Sequence, residues 1–350
     1  MVDMQLRINE PFNEQYTLII DSNLMAINAK MQSKTQIRWD FNVLNVNTEA
    51  VEIRLVLLDH ALLEANNPLV REIANITKAF SRLYNELHLT IDHRGRITKV
   101  LNMGIILDKW AQVKAEMLPL VEHTPDVQNV INLNDSIFQD PKKLMDGIQA
   151  SEFFMVYFNH LFGNDLPYSN KNIIRPNFFN TVNAKWQLEV GPEAIMDKAQ
   201  SVLRFKLHAS AMIQDDFMER AYSQFADKID IKKLVPSITE DATYKVNHKT
   251  GAVVAAVLHR NETTGNEALF TKTTYTFMDS TVFREYLQQN PVQETAMATT
   301  EQAPPQTEPE TKPKIREVSK GEYSMYSREK YQAEQLLKKE KKGTKKWWQL

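Results

Sequence analysis

The sequence contains no cysteine, which excludes disulfide bonds and thiolate metal sites. Glycine is also scarce, with nine residues that are never closer than nine positions to one another. Loops that bind phosphate need closely spaced glycines, because backbone N–H groups must approach the anion. A P-loop and a dinucleotide-binding fingerprint are therefore excluded. Neither Gly-x-Ser-x-Gly nor His-Glu-x-x-His occurs. We predict a protein that is not an enzyme, with no cofactor and no bound metal.

Long apolar runs are missing as well. Nowhere do about eighteen apolar residues follow one another, so the sequence predicts no transmembrane helix. A secretory signal has a basic segment followed by an apolar run. Residues 1–7 do not show this pattern. These two observations lead us to expect a cytoplasmic protein.

Charge is nearly balanced but unevenly distributed. The 42 basic and 44 acidic residues give a net charge of −2. Residues 312–350 hold twelve Lys or Arg and five Asp or Glu, a net of +7, which leaves 30 basic and 39 acidic residues, a net of −9, before them. An acidic body thus carries a basic tail. The near-neutral total does not favour a general nucleic-acid binder, and we expect no nucleic-acid partner.

Two stretches of the chain share the pattern of a β-hairpin. In residues 87–100, apolar residues alternate on both sides of a turn that contains Gly95. Residues 244–257 repeat this order around Gly251. Alternation that flanks a glycine-containing turn is typical of half-buried antiparallel strands. We interpret the two stretches as equivalent hairpins.

The strands that precede these hairpins also recur. Residues 184–190 repeat the alternation of residues 37–43 at a displacement of 147, and this alignment places Trp186 over Trp39. Residues 203–207 repeat residues 53–57 at a displacement of 150. The order strand, strand, helix, hairpin therefore occurs twice at nearly constant spacing, which indicates a duplicated unit.

The predicted fold is α+β, with duplicated antiparallel β-β-α-β-β units that form one or two curved sheets against packed helices. Other predicted elements are a first strand at 16–21, helices at 68–84, 104–118, 141–162, 215–227 and 280–289, and a strand at 268–278. The predicted divisions are a first β-rich unit at 1–103, an α-helical insert at 104–182, a second β-rich unit at 183–290, a disordered linker at 291–311 and a basic tail at 312–350.

This order of elements over residues 15–279 resembles, in outline, the half-barrel of bacterial lipoprotein carriers such as LolA. Carriers of that family hold acyl chains in an apolar concavity and are not enzymes. The resemblance implies a curved antiparallel sheet with helices on one side. The insert of about eighty residues between the halves departs from that family, and the resemblance assigns no site residues.

Four residues of the repeated units are candidates for a site. His93 and His248 occupy equivalent turns, where they could face a shared metal or anion. Histidine also suits tight turns for local reasons, and we favour that interpretation because no carboxylate cluster accompanies the pair. Trp39 and Trp186 could stack on a ligand inside the sheet, although an inward tryptophan on an alternating strand usually belongs to the core.

The basic tail holds the predicted partner-binding residues. A short basic helix is predicted near its centre, and two adjacent tryptophans stand close to its end. Large aromatic residues at an exposed terminus usually mark contacts, and lysines beside tryptophan also suit an anionic membrane surface. The predicted contact residues are Tyr331, Lys345, Lys346, Trp347, Trp348 and Leu350.

Two functions follow as hypotheses. The first is a non-enzymatic adaptor or scaffold subunit of a larger bacterial protein assembly, which docks on a protein partner through the C-terminal tail. The second is a carrier of a lipid or another apolar ligand in the concavity of the sheet. A carrier requires an open apolar cavity of about 300 Å³ or more, with Trp39, Phe41, Leu188 or Phe205 in its lining.

Overall fold

Eleven strands of the described chain form one antiparallel, curved sheet. The computed structural model describes residues 4–118, 125–192 and 201–290. The order of strands across the sheet is β6-β5-β4-β3-β2-β13-β12-β11-β10-β9-β8, and β1 and β7 form a separate pair. The strands are β1 Met4–Gln5, β2 Phe12–Ala26, β3 Ala29–Val46, β4 Val51–Ala65, β5 Glu86–Ile91, β6 Ile97–Val100, β7 Asp165–Leu166, β8 Tyr168–Pro176, β9 Asn183–Pro192, β10 Val202–Met212, β11 Ser237–Asn247, β12 Val253–Thr263 and β13 Leu269–Asp279.

Seven helices accompany the sheet within the described residues. They are α1 Pro68–Ser81, α2 Met103–Met117, α3 Pro125–Phe138, α4 Pro141–Gln149, α5 Glu152–Tyr157, α6 Phe217–Tyr222 and α7 Ser280–Gln289. The predicted α+β class is confirmed.

The repeated unit keeps its order of elements in three dimensions. Strands β3 and β4, helix α1 and the β5–β6 hairpin form the first copy, and β9, β10, α6 and the β11–β12 hairpin form the second. In each copy the strands neighbour one another in chain order. The two halves join where β2 pairs with β13, so that both β-rich segments share one sheet.

The sequence comparison aligned residues 53–57 of β4 with residues 203–207 of β10, and this alignment is wrong by four residues. Val43 of β3 pairs with Ile53, whereas Val190 of β9 pairs with Leu207. Ile53 therefore corresponds to Leu207 rather than to Leu203. Strands with period-two alternation look alike at every even displacement, and only the cross-strand pairing fixes the register.

The two hairpin glycines let other segments approach the sheet closely. Gly95 and Gly251 both have positive φ, +77° and +81°. A Cβ atom at Gly95 would overlap the ring of Phe158, and one at Gly251 would overlap the carbonyl oxygen of Arg7. Each turn thus needs glycine for its conformation and for its contact.

The insert packs helices against the inner face of the sheet. Helix α4 begins as predicted, because the Asp140 side chain accepts hydrogen bonds from the backbone N–H groups of Lys142 and Lys143 while Pro141 takes the first turn. The predicted single helix over 141–162 is wrong. The extended conformation of Ser151, with ψ of 157°, separates α4 from α5, and this bend turns the aromatic residues of α5 into the core.

Helix α5 lies at the centre of an aromatic cluster. Phe153 and Tyr157 contact three aromatic side chains of the inner face, Tyr16, Phe41 and Phe277, with ring centroids 5.0 to 6.2 Å apart. Tyr16 and Phe277, on paired strands, stack at 4.7 Å. Such pairs contribute about 0.5–1.5 kcal/mol each beyond the burial of their area. The cluster fixes α5 on the sheet at the β2–β13 junction.

Candidate functional site

An apolar cavity lies between the inner face of β2–β4 and helices α1 and α4. Its volume is about 410 Å³. Most of its lining is apolar, and the hydroxyl groups, one imidazole and one carboxylate are spread around it. The lining residues are Ile20, Ser33, Thr35, Ile37, Trp39, Leu55, Leu57, His60, Leu62, Val70, Ala74, Thr77, Ser81, Tyr84, Leu87, Gly147, Ile148, Ser151 and Glu152.

The cavity exists because the helices present small side chains to the sheet at this point. Helix α1 contributes Ala74, Thr77 and Ser81, which follow helical spacing and share one face. Helix α4 contributes Gly147, and a Cβ atom built there would meet no atom within 4 Å. Core layers are normally filled to crystal-like density, so this gap departs from the packing of the rest of the described core.

Of the four residues predicted to line a cavity, one does so and three lie in the packed core. Trp39 lines the cavity and also contacts Phe153 at 5.4 Å. Phe41, Leu188 and Phe205 are completely buried in the packed core and do not line it. The concavity is thus open beside β2–β4, while the inner faces of β9 and β10 are filled by their own side chains.

Trp186 belongs to the core, as the sequence favoured. Its indole N–H donates to the carbonyl oxygen of Arg175 at 3.1 Å, and the guanidinium of the same arginine lies 3.8 Å from the centre of the indole. A cation over an indole face is attracted by the ring quadrupole.

The two histidines of the hairpin turns serve local structure. His93 Nε2 lies 3.0 Å from the carbonyl oxygen of Thr48, and His248 Nδ1 lies 2.6 Å from that of Ser201. The two rings thus contact different loops instead of one shared ligand. No cluster of three metal-ligating side chains occurs among the residues that the structure describes.

A second, polar pocket of about 160 Å³ lies on the inner face of β12 and β13. Its walls combine a guanidinium, three hydroxyl groups and an amide with two aromatic rings. They are formed by Phe178, Asn180, Arg260, Thr271, Thr273 and Tyr275.

Beside this pocket lies a charge cluster that consists of Arg175, Glu240 and Arg260. The Glu240 carboxylate is completely buried and accepts hydrogen bonds from Arg260 Nε at 2.7 Å and Arg175 Nη1 at 3.0 Å. Burial opposes its charge, but the two guanidinium groups prevail and lower the pKa of Glu240 to about 2. Glu240 is therefore ionised at neutral pH.

The charge cluster keeps an excess of positive charge. Two guanidinium groups face one carboxylate, and both arginine side chains are less than one-fifth exposed. His160 adds no charge at neutral pH, because burial, together with the nearby Arg175, lowers its pKa to about 4. Nε and Nη2 of Arg175 are buried without a hydrogen-bond partner among the described residues.

A second buried carboxylate holds one wall of the polar pocket. Glu262 accepts hydrogen bonds from the Tyr222 hydroxyl at 2.8 Å, from Asn177 Nδ2 at 2.8 Å and from the backbone N–H of Phe178 at 2.6 Å. Burial raises its pKa in spite of these donors. These bonds fix the loop that carries Phe178 and Asn180.

None of these charged residues was predicted from the sequence, although the alternation of apolar and polar residues contained a signal. In β11, Glu240 has the same parity as the buried Ile238 and Ala242. In β12, Arg260 has the parity of the buried Leu258. Opposite charges at inward positions of two adjacent strands indicate a buried ion pair, because unpaired charges are almost never buried.

The predicted partner-binding residues of the tail lie outside the described residues. They are Tyr331, Lys345, Lys346, Trp347, Trp348 and Leu350. The predicted linker at 291–311 lies outside them as well. In the described part of the chain, no helix has the length and apolar character to cross a membrane.

The fold is a large antiparallel sheet with helices packed on its inner face. No family model matches the sequence, and no curated protein matches it. One similar solved structure is described as "Lipid-protein interactions in lipovitellin", with 5% sequence identity and a TM-score of 0.34. The similarity covers 79% of this chain and 25% of that chain, so this chain spans about a quarter of its length. At this TM-score it establishes neither a shared fold nor a shared function.

Proposed function

We propose that the protein binds an apolar ligand in the cavity between β2–β4 and helices α1 and α4. The observation that carries this proposal is the cavity itself, which has about 410 Å³ of space and a mainly apolar lining. Ligand sites commonly measure about 300–1,000 Å³ and combine apolar walls with a few polar groups. This function is the second of the two sequence hypotheses, and it agrees with the outline resemblance to LolA-like carriers.

Replacement of Ala74 by tryptophan is expected to fill the cavity from α1. Titration with the neutral fluorescent probe N-phenyl-1-naphthylamine should show saturable binding to the wild type. Binding to Ala74→Trp should be at least about tenfold weaker, because the indole occupies the space that the probe needs. Gly147→Leu fills the same cavity from α4 and should weaken the probe in the same direction.

The matched control is Ala111→Trp, which adds the same side chain at an exposed position of α2. It should bind the probe as the wild type does, and circular dichroism should show that all variants are folded. Equal probe affinity in the wild type and in both filled variants would contradict the proposal, as would a wild type that binds no probe.

We also propose, on the sequence alone, that the tail docks on a protein partner. The supporting observation is the pair Trp347-Trp348 within a basic segment. Comparison of the full chain with a chain that lacks residues 312–350 tests this second function in a pull-down from native lysate. The full chain should capture a partner that the shortened chain does not capture. Identical captures by the two chains would contradict a docking role.

A further inference from the structure

The apolar cavity and the polar pocket adjoin on the same face of the sheet. Ile20 lines the cavity and Tyr275 lines the pocket, and their Cα atoms are direct partners in the β2–β13 ladder. Directly opposite residues of antiparallel strands place their side chains on one face, with Cβ atoms about 4.5–5.5 Å apart. One ligand can therefore reach both spaces.

A row of polar side chains runs from the charge cluster toward the cavity. Arg260 pairs with Thr273, Thr273 with Ser22, and Ser22 with Ser33 of the cavity lining. The Ser22 hydroxyl lies 3.4 Å from that of Thr273. Since the four residues occupy successive strands at matched positions, a row of three hydroxyl groups connects the cavity to the guanidinium.

Arg260 is suited to hold an anion at the end of this row. The guanidinium has five N–H donors, and its bond to Glu240 uses Nε. It also borders the polar pocket, beside the hydroxyl groups of Thr271, Thr273 and Tyr275. A guanidinium binds the oxygens of a carboxylate or phosphate through a fork of donors, and such bonds are stronger away from water.

We propose that the ligand is a single-chain amphiphile, with its apolar chain in the cavity and its anionic head, a carboxylate or phosphate, in the polar pocket against Arg260. This inference rests on the proposed function. The excess positive charge of the cluster supports an anionic head. The cavity volume lies near the lower end of the usual range, which favours one chain over two.

A carboxylate at the border of the cavity opposes the anionic head. Glu152 borders the cavity, and its charge acts on Tyr275. Its side chain is exposed at the start of α5, where solvent weakens its effect. Removal of this charge in Glu152→Gln should therefore tighten the binding of an anionic amphiphile, by up to about threefold.

Displacement of N-phenyl-1-naphthylamine by dodecanoate, dodecyl phosphate and dodecanol tests the head group at constant chain length. We compare the concentrations at which the amphiphiles displace the probe. For one or both anions this concentration should be lower than for the neutral alcohol by about tenfold or more. The anion that binds more tightly identifies the head as carboxylate or phosphate. Arg260→Gln should remove most of the preference for the anion over the alcohol.

A second variant guards against a folding defect in Arg260→Gln. Thr273→Val keeps the shape of the side chain, removes one hydroxyl of the pocket and should weaken the anion about threefold. Thr276→Val, on the opposite face of the same strand, is the matched control and should bind as the wild type does.

The outcomes separate the two proposals. Equal affinity for anions and alcohol, or an anion preference that survives in both Arg260→Gln and Thr273→Val, would overturn the anionic head and leave the apolar site intact. Failure of all three amphiphiles and of the probe to bind would overturn the proposed function itself.

Discussion

Glu240→Ala is expected to lower the free energy of unfolding by about 3–5 kcal/mol, because it leaves two buried guanidinium groups without their shared carboxylate. Glu240 accepts hydrogen bonds from both Arg175 and Arg260 and is completely buried. Loss of one partner from a buried ion pair is therefore far more damaging than loss of an exposed pair.

Urea unfolding followed by circular dichroism measures this difference. The matched control is Asp241→Ala on the same strand, whose carboxylate lies 2.7 Å from His208 Nδ1 on the other face. Those two side chains are about half exposed, 49% for His208 and 56% for Asp241, so the control should cost less than about 1 kcal/mol. Similar losses in the two variants would show that the charge cluster does not stabilise the fold.

Much of the sheet follows from local alternation. Ile37, Trp39, Phe41 and Val43 were predicted on one face of a strand, and all four are buried on β3. Such a strand can be predicted from its own residues, because one face is apolar and the other is polar. Helix α7 was also predicted, at its observed bounds.

Elements without clear periodicity were missed or were predicted with the wrong bounds. Strand β8 lies at an edge of the sheet, within the segment predicted as a helical insert, and its exposed Ile174 breaks any inward pattern. Helix α5 is apolar almost all round, since Phe153, Phe154, Val156 and Tyr157 are all buried. A segment that is buried on every side gives no amphipathic signal to mark where it begins or ends.

The candidate site could be predicted only in part. Trp39 was recognised as inward, but the cavity depends on small residues of α1 and α4 that carry no signal of their own. The juxtaposition of Ile20 with Tyr275 arises because β2 pairs with β13, two strands that lie far apart in the sequence. Non-local pairing of this kind is set by the whole sheet and cannot be derived from any single segment.

Phe153→Ala should be as damaging to stability as Glu240→Ala, with an expected loss of about 3–5 kcal/mol. The ring is 1% exposed and contacts Trp39 and Phe41 of β3 and Phe277 of β13. Its removal leaves a void at the point where α5 meets the sheet. The free-energy cost includes both the lost burial and the unfilled volume.

The measurement is urea unfolding of Phe153→Ala, Phe153→Leu and the control Phe270→Ala. Leucine keeps most of the apolar volume, so Phe153→Leu should lose less than about 1.5 kcal/mol. Phe270 is half-buried on the outer face of β13, and its loss should cost about 1 kcal/mol or less. Because Trp39 packs on Phe153 and also lines the cavity, Phe153→Ala should additionally weaken N-phenyl-1-naphthylamine binding, whereas Phe270→Ala should not. A Phe153→Ala protein that is as stable as the Phe270→Ala control would mean that α5 is held on the sheet by contacts other than this aromatic cluster.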